Sequence, residues 1–244
     1  MAEQNDKPLL HQYRVSPFAA KVRRCLYYKG VDFDVVDYGL TGMRKIRKLN
    51  PRAKAPILEH RGRLIPDSTD IVRYLDVTYP DKPVIPASDA DAALAHVLED
   101  WADESLYFYD LTMRSWPNNA TLLADDLVMS DTGIAKRFFH RIIPGALAKQ
   151  AHGQGTGRKE RAAVCEDAER HFQAIDTLVT ESGWLAGGQL SIADIAVASM
   201  CTVLERAEEA KASMENYPTL MAWRERVDAQ TLPEGTPGDQ RALV

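Results

Sequence analysis

Cysteine is scarce in this chain, and the usual marks of secreted, membrane-spanning or nucleic-acid-binding proteins are missing. The three cysteines among 244 residues, Cys25, Cys165 and Cys201, are far apart and odd in number. This argues against a disulfide framework and for a reducing compartment. No apolar run approaches the roughly 18 residues that cross a bilayer, and the N-terminus lacks the basic-then-apolar order of a signal peptide. The net charge of −5 gives no field that attracts nucleic acid or anionic lipid. We therefore expect a cytoplasmic protein without nucleic-acid or membrane partners.

The chain divides into two parts with different hydrophobic periods. Residues 1–82 alternate strand and helix patterns, which predict the order strand, helix, strand, helix, strand, strand, helix. Residues 83–91 contain two prolines and no period, as is typical of a linker. Residues 92–244 contain helical stretches, the first at 92–114, and no persuasive strand. The glycine-rich segment 152–158 is interpreted as a flexible connector, because it lacks the ending of a phosphate-binding loop.

A serine, Ser16, lies where the first predicted strand meets a helix whose first turn contains Pro17. Proline suits the first helical position, since its missing N–H would be unpaired there anyway. A serine before it is typical of a helix N-cap. The same place favours an anion such as a thiolate, because the helix dipole and the first N–H groups point there. A structural cap and a thiolate-binding hydroxyl are compatible, and both interpretations stay open.

Two further segments carry candidate binding residues. Ala55-Pro56 follows Lys54 and opens a predicted strand, a position where a residue without an N–H is tolerated. Asp67 and Ser68 begin a run of four capping residues at the start of a predicted helix. Capping alone explains the run, but Ser68 and its neighbouring N–H groups could also hold a carboxylate. Asp67 could then pair with an ammonium group, so that the run suits an α-amino acid.

The order and spacing of several segments resemble those of the glutathione transferase superfamily. The segments are residues 16–23, 50–58, 67–75 and 184–195. Glutaredoxin-like redox proteins carry Cys-Pro-x-Cys at the first segment, whereas this chain has Ser16 and Ala19, so the reactive sulfur would come from the ligand. In the last segment Ser191 and Asp194 have the spacing of a capping box, which we interpret as a folding device.

The resemblance implies both a fold and a chemistry. The fold would be a thioredoxin-like α/β N-terminal domain of order βαβαββα, followed by an all-α C-terminal domain. Glutathione would be the co-substrate, without a metal, and Ser16 would donate a hydrogen bond to its sulfur. The activated thiolate would attack a small hydrophobic electrophile, as in detoxification, and the protein would be a homodimer.

The resemblance also implies which residues hold the rest of glutathione. Ala55 would pair through its backbone with the cysteinyl unit, next to a cis Pro56. Lys54 would hold the glycine carboxylate, with further cations available at residues 44–48. Asp67, where glutamate is commoner in the family, and Ser68 would hold the γ-glutamyl end.

The sequence defines less well the acceptor site, which is the site of the electrophilic substrate. Tyr13 is the rival of Ser16 for thiol activation, because some branches of the family use a tyrosine near the end of the first strand. The Ser-Pro-Phe motif favours the serine and leaves Tyr13 as a lining or packing residue. Trp101, Phe108, Tyr109 and Trp116 could line an acceptor site between the domains, although aromatic residues at helical spacing more often belong to a core.

Two alternative functions stay open at this stage. A non-catalytic relative would use the same fold to bind a ligand or a protein partner. A glutathione-dependent disulfide reductase is the other, but without a cysteine at position 16 it could not form a mixed disulfide through that site.

Overall fold

The computed structural model describes residues 7–241 and residue 243. The elements of its α/β half follow the predicted order. They are β1 (Leu9–Gln12), α1 (Pro17–Lys29), β2 (Asp34–Asp37), α2 (Met43–Leu49), β3 (Ile57–His60), β4 (Arg63–Pro66) and α3 (Ser68–Thr78). A short 3-10 turn, Leu40–Gly42, precedes α2.

The four strands form one mixed sheet in the order β2-β1-β3-β4. Strand β1 is parallel to β2 and antiparallel to β3, and β3 is antiparallel to β4. This topology brings the C-terminal ends of β1, β2 and β4 and the N-terminal end of β3 to the same edge of the sheet. The segments that flank these strand ends therefore lie together.

The second half is helical, as predicted. Its helices are α4 (Asp89–Trp101), α5 (Tyr107–Arg114), α6 (Ala120–Leu127), α7 (Gly133–Gln154), α8 (Arg161–Ser182), α9 (Ile192–Leu204), α10 (Glu208–Met214) and α11 (Pro218–Thr231). A π-helical segment, Ala102–Leu106, joins α4 to α5, so the stretch predicted as one α-helix over 92–114 is interrupted. The two short helices α6 and α10 were not predicted as separate elements.

The glycine-rich segment 152–158 differs from its interpretation as a flexible connector. Helix α7 extends through Gln154 and is followed by a 3-10 turn, Thr156–Arg158. The backbone at Gly157 lies so close to that of α7 that an added Cβ would stand 2.7 Å from the His152 nitrogen. The segment therefore forms a compact turn that requires glycine at position 157.

Helix α9 is the centre of the core, with all of its residues buried. It contacts α1 of the α/β half as well as α4 and α5, so one core runs through both halves. The predicted capping box is present: the backbone N–H and the hydroxyl of Ser191 both donate to Asp194, at 2.9 and 2.7 Å. The Asp194 carboxylate also accepts from the Leu185 N–H and the Trp223 indole, which fixes the start of α9.

The cysteines are all free. Cys25 and Cys201 are buried, and burial raises the pKa of their thiols to about 12 and about 11 respectively. Within the described part of the chain, no helix combines the length and apolar character needed to cross a membrane. The same residues contain no group of three or more His, Cys, Asp or Glu side chains placed to hold a metal ion.

Candidate functional site

The site predicted from the sequence lies at the shared edge of the sheet. Strand register places Ile57 opposite His11 on β1 and opposite Pro66 on β4. The segments 13–16, 54–56 and 67–69 therefore extend from adjacent strands at that edge. Segments that are far apart in the sequence meet here because of the strand pairing.

Ser16 is the N-cap of α1. Its backbone is extended (φ −73°, ψ 126°), and its Oγ accepts a hydrogen bond from the Ala19 N–H. That bond is long, at 3.4 Å, against about 2.9–3.0 Å for an ordinary N–H···O bond. The hydroxyl accepts through a lone pair, so its own proton stays available for donation. Capping and ligand binding are thus compatible at this side chain.

The peptide bond between Ala55 and Pro56 is cis, as the resemblance implied. The preceding loop is shaped by Asn50, whose side chain donates to the Lys54 carbonyl at 2.9 Å and accepts from the Arg52 N–H at 3.1 Å. Pro56 is buried and the Lys54 side chain is exposed. The loop therefore presents a cation to solvent beside the start of β3.

Asp67 has a left-handed backbone conformation, with φ +92°. Such a conformation costs a residue other than glycine about 1–3 kcal/mol and is often found at functional sites. The Asp67 carboxylate caps α3 by accepting from the Thr69 N–H at 3.0 Å. The next residue, Ser68, is only 5 % exposed. The strained turn thus places a carboxylate and a serine at the N-terminus of α3.

A buried charge cluster, which the sequence analysis did not find, lies beneath this turn. The Lys21 ammonium on α1 is 1 % exposed. It donates to Thr69 Oγ1 at 3.3 Å, to Glu99 Oε1 at 2.9 Å and to Asp103 Oδ2 at 2.6 Å. The Thr69 hydroxyl donates in turn to Glu99 at 2.9 Å. The cluster connects α1 and α3 to α4 and the π-helical segment, and so ties the two halves together next to the site.

Asp103 has an unusual environment within this cluster. Burial raises the pKa of its carboxyl to about 6, against the opposing effect of Lys21, and the charges of Glu99 and Asp67 act in the same direction as burial. Among the described residues, its second oxygen, Oδ1, is buried and has no hydrogen-bond partner. A buried acceptor without a partner costs about 1–3 kcal/mol, so that a hydrogen-bond donor added beside this oxygen, such as an ammonium group, would be favoured.

Little within the sequence pointed to this cluster. Glu99 and Asp103 are 78 and 82 residues from Lys21, and Asp103 takes its place through a π-helical segment rather than a regular α-helix. A lysine on the same side of α1 as the apolar Val22 and Cys25 was the one available hint, because lysine is almost never fully buried unless it is paired.

Tyr13 also lies at the edge, and it is half-buried. Burial, followed by the charge of Asp131, raises the pKa of its phenol. The hydroxyl therefore stays protonated through the neutral range. With its proton in place, the Tyr13 hydroxyl can donate a hydrogen bond at this edge.

Three of the four aromatic residues proposed for an acceptor site contact α8 instead. Trp101 and Tyr109 both pack edge-on against the ring of His171, and the Tyr109 hydroxyl donates to Asp167 at 3.1 Å. Trp116 lies under the guanidinium of Arg161. These contacts lie within the helical half and give no support to an acceptor role.

A different aromatic residue meets the first turn of α1. The Tyr107 ring lies 5.1 Å from that of Phe18, measured between centroids, and 5.4 Å from that of Phe108. Burial raises the pKa of Tyr107 to about 12, so its hydroxyl is uncharged. Of the predicted aromatic set, Phe108 is therefore the one that is connected to the Ser16 region, through Tyr107 and Phe18.

The fold and the site together define a two-domain protein in which a thioredoxin-like α/β domain presents a helix N-terminus beside an all-helical domain. Sequence profiles agree with this class: "Glutathione S-transferase, N-terminal domain" matches residues 10–83, and "Glutathione S-transferase, C-terminal domain" matches residues 135–230. The chain belongs to the glutathione transferase superfamily.

Relatives with sequence similarity include plant proteins. Glutathione S-transferase U3 of Arabidopsis thaliana is 34% identical over 109 residues, which are 43% of this chain and 48% of the relative. Glutathione S-transferase U7 of the same plant is 23% identical over 214 residues, 85% and 77% of the two chains. A probable maleylacetoacetate isomerase of Caenorhabditis elegans is 33% identical over 97 residues, 38% and 45% of the two chains. The first and third matches thus span about half the length of the relative.

Solved structures agree in fold at low sequence identity. Rice GST1, in complex with glutathione, has a TM-score of 0.66 at 21% identity, with 94% of this chain and 92% of that chain covered. The β-etherase LigF of a Sphingobium species has a TM-score of 0.67 at 20% identity, with 97% and 98% covered. At these identities the likeness establishes the fold.

Proposed function

We propose that this protein is a glutathione transferase that binds reduced glutathione at the sheet edge and activates its thiol. The observation that carries the proposal is the Ser16 hydroxyl at the N-terminus of α1, with its proton available for donation. A thiolate at this position would receive that hydrogen bond in addition to the field of the helix.

The expected size of this effect is sufficient for catalysis near neutral pH. A free thiol titrates near pH 8.5. A hydrogen bond to a charged group is worth roughly 1.5–3 kcal/mol, and 1.36 kcal/mol corresponds to one pKa unit. The hydroxyl alone would therefore lower the thiol pKa by about one to two units. The protein would contribute orientation and preorganised electrostatics, while the sulfur nucleophile would come from the substrate.

The remaining residues of the edge suit the charges of glutathione. Lys54 would pair with the glycine carboxylate, and the Ala55 backbone beside Pro56 would pair with the cysteinyl unit. Ser68 and the first N–H groups of α3 would hold the γ-glutamyl carboxylate. Asp67 and the partnerless oxygen of Asp103 would receive the neighbouring ammonium. The Asp103 contribution was not anticipated from the sequence.

We propose a small hydrophobic electrophile as the second substrate. Phe18 and Tyr107 provide an aromatic surface next to the first turn of α1, with Phe108 and Tyr13 nearby in the chain. The names of two similar proteins, an isomerase and a β-etherase, indicate that conjugation is not the only outcome in this superfamily. Attack of the glutathione sulfur on an electrophilic carbon would be the common first step.

Titration calorimetry with reduced glutathione, combined with an ultraviolet scan for the thiolate, tests the proposal. We expect binding accompanied by a thiolate band at neutral pH, where free glutathione is mostly thiol. Binding without a thiolate would favour a non-catalytic binding protein. The absence of binding at millimolar glutathione would reject the proposal.

The pH dependence of binding tests the role of Asp103. Affinity for S-methylglutathione, which has no titratable thiol, should fall as the pH drops through about 6. Protonation of Asp103 removes the charge that would attract the ammonium, and one linked proton gives at most about a tenfold loss per pH unit. Asp103→Asn should bind weakly at all pH values and flatten this profile. An unchanged pH profile in the variant would show that Asp103 does not bind the ammonium group.

We further propose that the protein is a homodimer formed through α3 and α4. Large apolar side chains are exposed on both helices, with Val77 83% and Val97 62% accessible. Neighbouring exposed apolar groups often mark a protein interface. Val97→Glu should shift the chain from dimer to monomer in sedimentation experiments, whereas Ile134→Glu, at an exposed apolar position on α7, should not. A monomeric wild-type chain would contradict the proposal.

We place the protein in the cytoplasm. The three free cysteines, two of them buried, suit a reducing compartment. Fractionation of cells that express the tagged chain would test this, and recovery with membranes or in the medium would contradict it.

A further inference from the structure

A loop of the helical half holds a loop of the α/β half through one carboxylate. Asp131 lies between α6 and α7, and its side chain accepts three hydrogen bonds from the segment after β2. The donors are the Leu40 N–H at 2.8 Å, the Thr41 N–H at 3.0 Å and the Thr41 hydroxyl at 2.7 Å. Both carboxylate oxygens are used, Oδ2 by Leu40 and Oδ1 by Thr41. The two loops are thus joined by a small polar clasp.

The packing around this clasp is close and specific. Asp131 is only 3 % exposed. A Cβ added to Gly39 would stand 2.4 Å from its Oδ1, so only glycine allows the carboxylate to approach. Burial by itself would raise the pKa of Asp131, but the hydrogen bonds from Thr41 and Leu40, together with the charge of Lys136, hold it below its usual range. The carboxylate is therefore charged, and its hydrogen bonds are of the stronger, charge-assisted kind.

The segment that the clasp holds leads directly into α2, which has little core of its own. Ile46 is the one buried side chain within Met43–Leu49, so packing does little to fix the position of this helix. Its two ends are fixed instead. Asn50 holds the C-terminal end through its bonds to the following loop, and Asp131 holds the segment before the N-terminal end. Hydrogen bonds on both sides of α2 therefore fix its position.

Helix α2 carries a dense positive charge. Four of its seven residues are exposed cations: Arg44, Lys45, Arg47 and Lys48. Lys54 follows five residues after its end and is also exposed. A mobile cationic helix would pay an ordering cost on binding an anion, whereas a fixed one avoids that cost. By fixing the segment before α2, Asp131 should therefore strengthen the binding of an anion to these cations.

We propose that Asp131 is a positioning residue for glutathione, which fixes the loop 39–41 so that the cations of α2 and Lys54 are preorganised for the glycine carboxylate. The inference rests on the proposed function, because it assumes that glutathione binds at the sheet edge. It assigns to the helical half a part in binding the first substrate, through a residue that does not touch it.

The test compares glutathione with its glycine monoethyl ester, which lacks the negative charge at that carboxyl group. Asp131→Asn is nearly isosteric, but its amide nitrogen cannot accept a hydrogen bond at the second oxygen position. We expect Asp131→Asn to bind glutathione about five- to tenfold more weakly than the wild type does. The affinity of the variant for the ester should be almost the same as that of the wild type. The apparent KM for glutathione should rise with kcat nearly unchanged. Amide hydrogen exchange at residues 40–49 should be faster in the variant.

Asp125→Asn is the matched control, because it removes the same charge from the adjacent helix α6 without touching residues 39–41. It should leave both affinities unchanged. Equal weakening of glutathione and ester by Asp131→Asn would show a purely structural role and overturn the inference, as would unchanged glutathione affinity. If the wild type itself does not bind glutathione, the proposed function fails first and the inference fails with it.

Discussion

Replacement of Ser16 by alanine is expected to lower turnover with an activated aryl halide by about ten- to a hundredfold. The loss corresponds to one charge-assisted hydrogen bond of roughly 1.5–3 kcal/mol. The ultraviolet pH titration of bound glutathione should show the cause directly, as a rise of about one to two units in the thiol pKa. Glutathione affinity near neutral pH should change much less than turnover, because other residues would hold the rest of the tripeptide in the proposed complex.

Two companion variants separate catalysis from helix capping. Loss of a serine N-cap costs about 0.5–2 kcal/mol on replacement by alanine but only a few tenths on replacement by glycine. Ser16→Gly should therefore lose activity as Ser16→Ala does while keeping most of the stability, and Ser16→Thr should retain activity. If both hydroxyl-free variants keep full turnover while Tyr13→Phe loses it, the thiol is activated by Tyr13 instead.

Replacement of Lys21 by methionine is expected to be strongly destabilising. It would leave Glu99, which is 4 % exposed, and Asp103 without their shared cation. Removal of one partner from a buried ion pair costs about 3–5 kcal/mol, since the remaining charge is uncompensated. For a chain of this size, that corresponds to a fall in Tm on the order of 10 °C, measurable by calorimetry.

The mechanism of that loss can be checked by removing the remaining charges. In a triple variant with Lys21→Met, Glu99→Gln and Asp103→Asn, no buried charge is left unpaired, and much of the stability should return. Its glutathione affinity should stay low, because Asp103 no longer provides a charge for the ammonium. A Lys21→Met variant as stable as the wild type would show that the cluster contributes nothing net to the fold.

Local sequence signals were sufficient for the architecture and for part of the site. Ser16 before Pro17, and Ser191 with Asp194, predict helix starts through contacts within a few residues, and both caps are present. The cis bond before Pro56 was implied by the family resemblance and is also present. The two caps depend on short-range geometry, which a single sequence encodes directly, whereas the cis bond followed from the resemblance to a family.

The features that were missed all depend on distant partners. Lys21 and Asp131 are bound across 82 and about 90 residues, and nothing near either residue indicates the partner. The π-helical segment that places Asp103 has no turn or capping signal in the sequence. The contacts of the aromatic residues with α8 were missed for the same reason: helical spacing groups Trp101 with Tyr109 but does not show that α8 lies on that side.

The bridging of the two halves by Lys21, Asp103 and Asp131 limits how this protein can be recombined with its relatives. A chimaera that keeps the α/β half and takes a foreign helical half would inherit Ser16, Lys54 and Asp67 intact. It would nevertheless lack Asp103, which we propose as a partner of the ammonium group, and Asp131, which anchors the segment before α2, unless the donor supplied equivalents of both. A transplant intended to change only the second substrate should therefore retain residues 99–103 and 131 of this chain, with the graft joints placed outside them.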